Sequence, residues 1–313
     1  MIDTLNVRLR VEDNGGVDFL AETPCHLNNI GEHNYSGDIF LTGELQGLKV
    51  SLSKSQMKIK DGSLCKWYLG DNQKTMTRKD IERAVERLSD SLHLPISKAE
   101  VTRLDLAQNL SMKYPIEVYL SHLGELRNYK RVPMVQIGSL YYCHTGTSLN
   151  FYDKTKELKD KREKVDDLYK DKNILRYELR YTKQIAKQLN INEVKCCSLY
   201  EEGFYIDLLN RWRNSYLAIE KINDVVLNFG VMKTKRDLYI LGVKALIERV
   251  GGEINLLDQL SEAQKQGLCT NKQAHDLRKK IKSITQDTRD LTAKSEVVEE
   301  LTEKVKQSVK FYR

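Results

Sequence analysis

Two spacings of apolar residues divide the chain. In the first part, the segments LNVRLRVE, DIFLTGEL, LKVSLS, MKIK and LCKWYLG alternate apolar with polar residues and are broken by Gly, Asn and Asp. That is the pattern of half-buried antiparallel strands. Thr77 then opens TRKDIERAVERLSDSLHL, in which Ile81, Val85, Leu88 and Leu92 recur at helical spacing until Pro95, so a helix lying on the sheet is expected. Strands follow in AEVTRLDLAQNL, VPMVQIGSLYYCH, TSLNFYDK and NILRYELRYT, with a hairpin turn at Thr145–Gly146 and a helix in YPIEVYLSHLGELRNY that carries Pro115 near its first turn. The charges of KTKELKDKREKVDDLYKDK almost cancel, which suits a solvated helix or mobile loop better than a basic patch.

From about residue 183 the spacing becomes 3.6, in IAKQLNI, IDLLNRWRNSYLAIEKI and DLYILGVKALIERV. INLLDQLSEAQKQG and TNKQAHDLRKKIKSI then read as two helices joined at Gly267, and a last helix carries Val298, Leu301, Val305 and Val309. The expected fold class is therefore α+β: an antiparallel sheet flanked by helices over residues 1–190, then a mostly helical region over residues 191–313.

Composition narrows the setting. With 313 residues and 40% apolar content the chain can bury a proper core. The opening MIDTLNVRLRVEDNGG has no apolar signal core, and no stretch approaches the roughly 20 apolar residues of a membrane helix. A soluble, unexported protein of a reducing cytoplasm is expected, with no membrane partner. The six cysteines include no CxxC, and the adjacent Cys196 and Cys197 are poorly placed for a disulfide. A net charge of +7 is compatible with a polyanionic partner, and sixteen tyrosines against six phenylalanines suit base stacking and half-buried sheet surfaces equally.

Three strands repay reading face by face, because side chains alternate across a strand. In RLDLAQN, Leu104 and Leu106 share one face, while Arg103, Asp105, Ala107 and Asn109 share the other. In LNFYDK, Leu149 and Phe151 oppose Asn150, Tyr152 and Lys154; in LRYELRY, Leu175, Tyr177, Leu179 and Tyr181 oppose Arg176, Glu178 and Arg180. If these strands are neighbours, carboxylates, a tyrosine, a lysine and three arginines converge on one face. Such a set suits phosphoryl transfer. A tyrosine hydroxyl is a weak nucleophile at neutral pH and needs help with its proton. Asp105 and Glu178 can hold Mg²⁺ or Mn²⁺, Lys154 can steady a developing oxyanion, and Arg103, Arg176 and Arg180 can grip phosphates. The bland reading of the same residues is a set of cross-strand surface ion pairs.

RLDLAQN, IGSLYY…LNFYDKTKE and LRYELR resemble, in order and spacing, the initiation factors of rolling-circle plasmids and the gene II/X replication proteins of filamentous phages. KIKDGSLCKWYLGDN is similar to a segment of the phage branch, and the resemblance spans about residues 55 to 185. It implies a divergent HUH-like nickase that cuts one strand of single-stranded or cruciform origin DNA, stays linked through a 5′-phosphotyrosine and leaves a free 3′-OH. The family's Y-[DN]-K-x-x-E tyrosine falls on Tyr152, its RxD aspartate on Asp105 and its R-x-E acid on Glu178, with Glu157 a further carboxylate for a divalent metal. Residues 1–190 become the nicking domain. Residues 191–313 become a region for DNA binding or oligomerisation, in which Lys272, Arg278 and Lys279 of a helix-turn-helix pair are candidate DNA contacts. A host helicase and a homodimer are the further partners the resemblance suggests.

None of His26, His33, His93, His122, His144 or His275 forms the His-hydrophobe-His metal pair of the better-known nickases. His144, at the hairpin, is the one histidine close in sequence to the tyrosine motif. Rival readings are a DNA-binding initiator or repressor that never cuts, and a mobilisation relaxase with the same chemistry. A tyrosine recombinase fits less well, because no arginine and histidine box precedes a tyrosine near the C-terminus.

Overall fold

The computed structural model describes the chain apart from residues 17, 22, 36–37, 135–137, 223–232 and 288–294. Strands β1 (Ile2–Arg10), β2 (Asn28–Tyr35), β3 (Asp38–Leu45), β4 (Leu48–Leu52) and β5 (Gln56–Lys60) come first. Helices α1 (Leu64–Leu69) and α2 (Arg78–Leu92) lead to β6 (Glu100–Met112). Then come α3 (Ile116–Ser121), β7 (Lys130–Met134), β8 (Ser139–His144), β9 (Thr147–Asp153), α4 (Lys154–Asp160) and β10 (Asn173–Tyr181). Beyond them are α5 (Ile185–Leu189), α6 (Glu202–Leu217), α7 (Lys235–Arg249), α8 (Gly252–Lys265), α9 (Asn271–Asp287) and α10 (Glu296–Tyr312). This is the α+β architecture that the two spacings predict.

The strands form one antiparallel sheet in the order β2-β3-β4-β5-β1-β6-β10-β9-β8-β7. The last strand in sequence, β10, sits between β6 and β9. Its apolar face, with Leu175, Tyr177 and Leu179, joins Leu104, Leu106, Leu149 and Phe151 in a continuous core that also takes in Trp212 and Tyr216 of α6 and Leu301 and Val305 of α10. The rings of Phe151 and Tyr177 stack at 4.4 Å, Trp212 lies 4.6 Å from Tyr177, and the Tyr177 hydroxyl donates to the Trp212 carbonyl at 3.0 Å. Aromatic pairs of this kind add about 0.5–1.5 kcal/mol each beyond their burial. With that face committed to helices, the polar residues of the same strands must lie on the opposite side.

Several elements differ from the sequence reading for physical reasons. LCKWYLG is helical. The Ser63 hydroxyl accepts from the Lys66 amide at 3.1 Å, and Gly70, at φ +88°, turns left-handed so that its amide donates to the Lys66 carbonyl. Cap and stop thus outweigh the apolar alternation. The helix expected over residues 114–129 ends at Ser121, because the Gly124 amide donates to Glu220 O at 2.8 Å across the molecule. In VPMVQIGSLYYCH the described residues belong to two antiparallel strands, β7 and β8, and residues 135–137 lie outside the described residues. NNIGEHNY forms β2 although it lacks apolar alternation. In the charged segment, α4 buries Lys154 and Leu158, so it is not wholly a solvated face. Thr77 caps α2 with a reciprocal bond to Asp80, as its position suggests. Among the described residues no helix is long and apolar enough to cross a membrane.

Candidate active site

The polar face of β10 carries Arg176, Glu178 and Arg180. Arg180 pairs with Asp105 of β6, Glu178 lies between Ala107 and Asn150, and Arg176 lies between Asn109 and Tyr152 of β9. These partners share one face because directly opposed residues point the same way from the pleat. Asp105 and Glu178 therefore stand on neighbouring strands and on one face, as the alternation requires.

The side chains form a single ionic network. The Tyr152 hydroxyl donates to Glu178 Oε1 at 2.9 Å, and Arg176 Nε donates to the same oxygen at 2.6 Å. Arg180 Nε donates to Glu178 Oε2 at 2.8 Å and lies 3.5 Å from Asp105 Oδ2. Arg103 grips Asp105 with two bonds, at 3.0 and 2.7 Å. Arg176 also reaches Asp3 Oδ1 at 3.1 Å, Asn109 Oδ1 at 3.1 Å and the Asn72 carbonyl at 3.2 Å. Asp3, Asp105 and Glu178 are thus matched by Arg103, Arg176 and Arg180.

The network is buried, which sets its electrostatics. Asp105, Arg176 and Glu178 are each 3% exposed or less, so a lost partner would leave a charge with neither water nor counter-ion. Burial alone would raise the Glu178 carboxyl, but Arg176 and Arg180 outweigh it and hold the group at about 2. Burial raises Asp105 above the usual carboxylate range despite Arg103 and Arg180. It also raises Tyr152, against the pull of Arg176 and with the help of Glu178 and Glu157. In this arrangement Tyr152 is protonated and bonded to a weakly basic carboxylate. It is aligned for proton transfer without being ionised.

A lid covers part of this face. Gln73 accepts from the Asp166 amide at 2.7 Å and donates to the Lys164 carbonyl at 3.0 Å, tying the segment after α1 to the stretch after α4. Asn109 donates to the carbonyls of Asn72 and Gln73 at 3.1 and 3.0 Å. Beside the lid, a cleft of about 360 Å³ stays open, and Ser139, Tyr141, Tyr152, Lys161 and Arg180 are among its walls. Tyr152 and Arg180 are the network residues that face solvent there.

The remaining candidates are placed as follows. Lys154, at the start of α4, is 1% exposed and donates to Glu157 Oε2 at 2.6 Å. Burial and Arg176 push its ammonium down. Glu157 also takes Lys161; burial would raise its carboxyl, but the two lysines outweigh that and hold it below the carboxylate range. Both of its oxygens thus carry a lysine, Lys154 on Oε2 and Lys161 on Oε1. Arg176, expected to contact phosphate, is 2% exposed; its guanidinium donates to Glu178, Asn72 and Asn109 and lies 3.1 Å from Asp3 Oδ1. Arg103 and Arg180, 29% and 32% exposed along their side chains, remain accessible. His144 pairs with Thr147 and packs its ring 5.2 Å from Tyr129. It lies up the hairpin from Tyr152, about 17 Å away at strand rise. In the α8–α9 pair, Lys272 and Lys279 are exposed, whereas Arg278 donates to Ser261 and Gln264 inside the pair.

For a divalent ion, Asp105 and Glu178 are donors of the right kind, hard carboxylates on one face. Their oxygens are already engaged by guanidinium and hydroxyl donors. Among the described residues no group of three His, Cys, Asp or Glu gathers as a ligand cluster. An ion would compete with Arg180 for the oxygens that Arg180 bridges.

Sequence reading missed Asp3. By parity it belongs with Leu5, Val7 and Leu9 on the apolar face, but a register shift between Ile2 and Thr4 turns it to the polar side, where it accepts from Ser63 Oγ at 2.9 Å. A bulge leaves no periodic signal. Asn109 was legible on the polar strand face, yet its use as a clamp on the lid was not.

Residues 1–201 match the family described by the N-terminal region of the phage gene II replication-associated protein. No curated protein matches the chain.

Proposed function

The chain belongs to the gene II family of replication-associated proteins and is a rolling-circle replication initiator that binds DNA, and on that premise we propose that it nicks its origin through Tyr152. The observation that carries this reading is the Tyr152 hydroxyl donating to Glu178 at the floor of an open cleft that Arg180 also lines. Nucleophile and phosphate-binding cation then adjoin one space large enough for a nucleotide, with the proton acceptor one hydrogen bond behind the nucleophile.

A scissile phosphate entering the cleft meets Arg180, with Arg103 behind it. A guanidinium that turns to the phosphate leaves Glu178, which loses one of the two cations that hold its proton affinity down. Glu178 becomes a better base as the substrate binds. Tyr152 Oη attacks phosphorus, its proton passes to Glu178, and the P–O3′ bond breaks, giving a 5′-phosphotyrosine link and a free 3′-OH. The 3′ oxygen takes up a proton from water as it leaves, and Glu178 returns its own proton to solvent, so that no net proton is gained or lost. Arg176, paired with Asp3, keeps Glu178 in place throughout. Lys154, paired with Glu157, supplies positive charge beside the tyrosine motif. Asp105 and Glu178 would also hold Mg²⁺ or Mn²⁺ in exchange for Arg180, and an ion there supplies charge stabilisation at the phosphate.

The test is incubation of the full chain with a single strand of its own origin and Mg²⁺ or Mn²⁺, followed by denaturing electrophoresis. A covalent protein–DNA band is expected from the wild type and none from Tyr152→Phe, with origin binding nearly unchanged. A band of equal strength from Tyr152→Phe would remove Tyr152 as nucleophile. No band from either protein would favour an initiator that binds without cutting. A host helicase and a second copy of the chain belong to the proposal through family resemblance alone.

A further inference from the structure

The cleft that Arg180 lines also holds an aromatic side chain that the nicking chemistry does not use. In the β8–β9 hairpin Ser139 lies opposite Tyr152 and Tyr141 opposite Asn150, so Tyr141 projects from the same face as Tyr152, one pleat away. Its neighbour Tyr142 points to the other side, fully buried, with its hydroxyl donating to Gly124 O at 2.7 Å. Tyr141 is only half-buried. Among the described residues it has neither a hydrogen-bond partner nor a ring against it, although it lines the cleft of about 360 Å³ that contains Tyr152 and Arg180.

A half-exposed aromatic face beside a phosphate-binding arginine is what an unpaired base requires. Bases splayed from a strand stack on aromatic rings whatever their identity, and a paired base is not free to do so. The cleft volume lies at the small end of ordinary ligand pockets, roughly 300–1,000 Å³, which suits one extruded nucleotide.

We propose that Tyr141 is the stacking platform for the base adjoining the scissile phosphate, so that the cleft accepts that nucleotide only when it is unpaired. Arg180 takes the phosphate and Tyr141 the base, and together they fix the phosphorus in front of Tyr152. Selectivity for single-stranded or extruded origin DNA is then a property of the cleft itself. This inference rests on the nicking reading for its location, but binding can test it without any cutting.

The experiment uses the full chain carrying Tyr152→Phe, with the single strand of its own origin bearing one 2-aminopurine moved a nucleotide at a time. Quenching at one position is expected, and Tyr141→Ala should abolish it and weaken binding by about 5- to 150-fold, the range of a lost base–aromatic stack. Tyr141→Phe should restore both. An abasic nucleotide at that position should weaken binding to the Tyr141-containing chain by a similar factor and cost the Tyr141→Ala chain nothing more. The proposal is overturned if Tyr141→Ala binds as well as its parent, if its loss adds to that of the abasic site, or if Tyr141→Phe fails to restore the quench. A covalent band lost with Tyr152→Phe, measured separately, tests the nicking reading, so the two can fail independently.

Discussion

Replacing Glu178 with Gln tests the buried network through acid stability. Each tenfold change in proton affinity is worth about 1.4 kcal/mol. A carboxyl held at about 2 instead of its ordinary 4.5 therefore contributes about 3 kcal/mol to folding at neutral pH. The folded form has the depressed value, so this contribution is complete above about pH 5 and is lost as pH falls from about 4.5 towards 2, with about 2 kcal/mol gone by about pH 3. Gln cannot titrate. At neutral pH, Glu178→Gln leaves Arg176 and Arg180 short of a buried counter-ion and should destabilise the protein by about 3–5 kcal/mol. Urea unfolding at a series of pH values from about 7 down to about 3 should show that gap narrowing by about 2 kcal/mol at the acid end, because protonated Glu178 comes to resemble Gln. The other carboxylates, Asp105 included, titrate in both proteins and largely cancel. A gap that stays constant across the series would refute the placement of Glu178 between two arginines.

Other consequences are open to direct measurement. Arg180→Ala should bind Mn²⁺ about tenfold more tightly in an EPR titration without DNA, since a charged competitor worth about 1.5–3 kcal/mol per bond is removed; unchanged affinity would argue against Asp105 and Glu178 as the metal donors. Ser63→Ala should cost about 1 kcal/mol of stability by removing the cap of α1, read by urea unfolding; no loss would argue against that cap. Substituting Lys272 and Lys279 together with Ala should weaken duplex binding and lower the slope of log affinity against log salt by about 2, while nicking of a preformed single strand is unaffected. Arg278→Ala should act on melting temperature instead, because its guanidinium bonds Ser261 and Gln264.

The legible part of this molecule was the part governed by a period. Alternation in RLDLAQN, LNFYDK and LRYELRY assigned Asp105, Tyr152, Glu178, Arg176 and Arg180 to one side of their strands, and the register brings that side together. What alternation cannot report is depth. A polar strand face looks solvated in sequence, yet here it is roofed by the lid around Asn72 and Gln73, which leaves Arg176 only 2% exposed. Nor does it report exceptions to its own rule. Asp3 reaches the network through a bulge, and LCKWYLG became a helix because Ser63 and Gly70 cap it. The helical region was legible as helices from its 3.6-residue spacing. That α6 and α10 complete the sheet's core depends on long-range packing that no local window contains.

The position of β10 also orders the assembly of the protein in time. Arg176, Glu178 and Arg180 arrive together on a nine-residue strand that is made after every other strand of the sheet. Until it docks, the block of strands from β2 to β6 and the block of β7, β8 and β9 share no strand pairing among the described residues. Asp3 waits for Arg176, a partner more than half the chain away. Pairings of such separation form slowly, so a nascent or broken chain that ends before β10 has Tyr152 but neither Glu178, to which its hydroxyl donates, nor Arg176 and Arg180. On the proposed nicking reading, competence to cut would be acquired in one late step of folding.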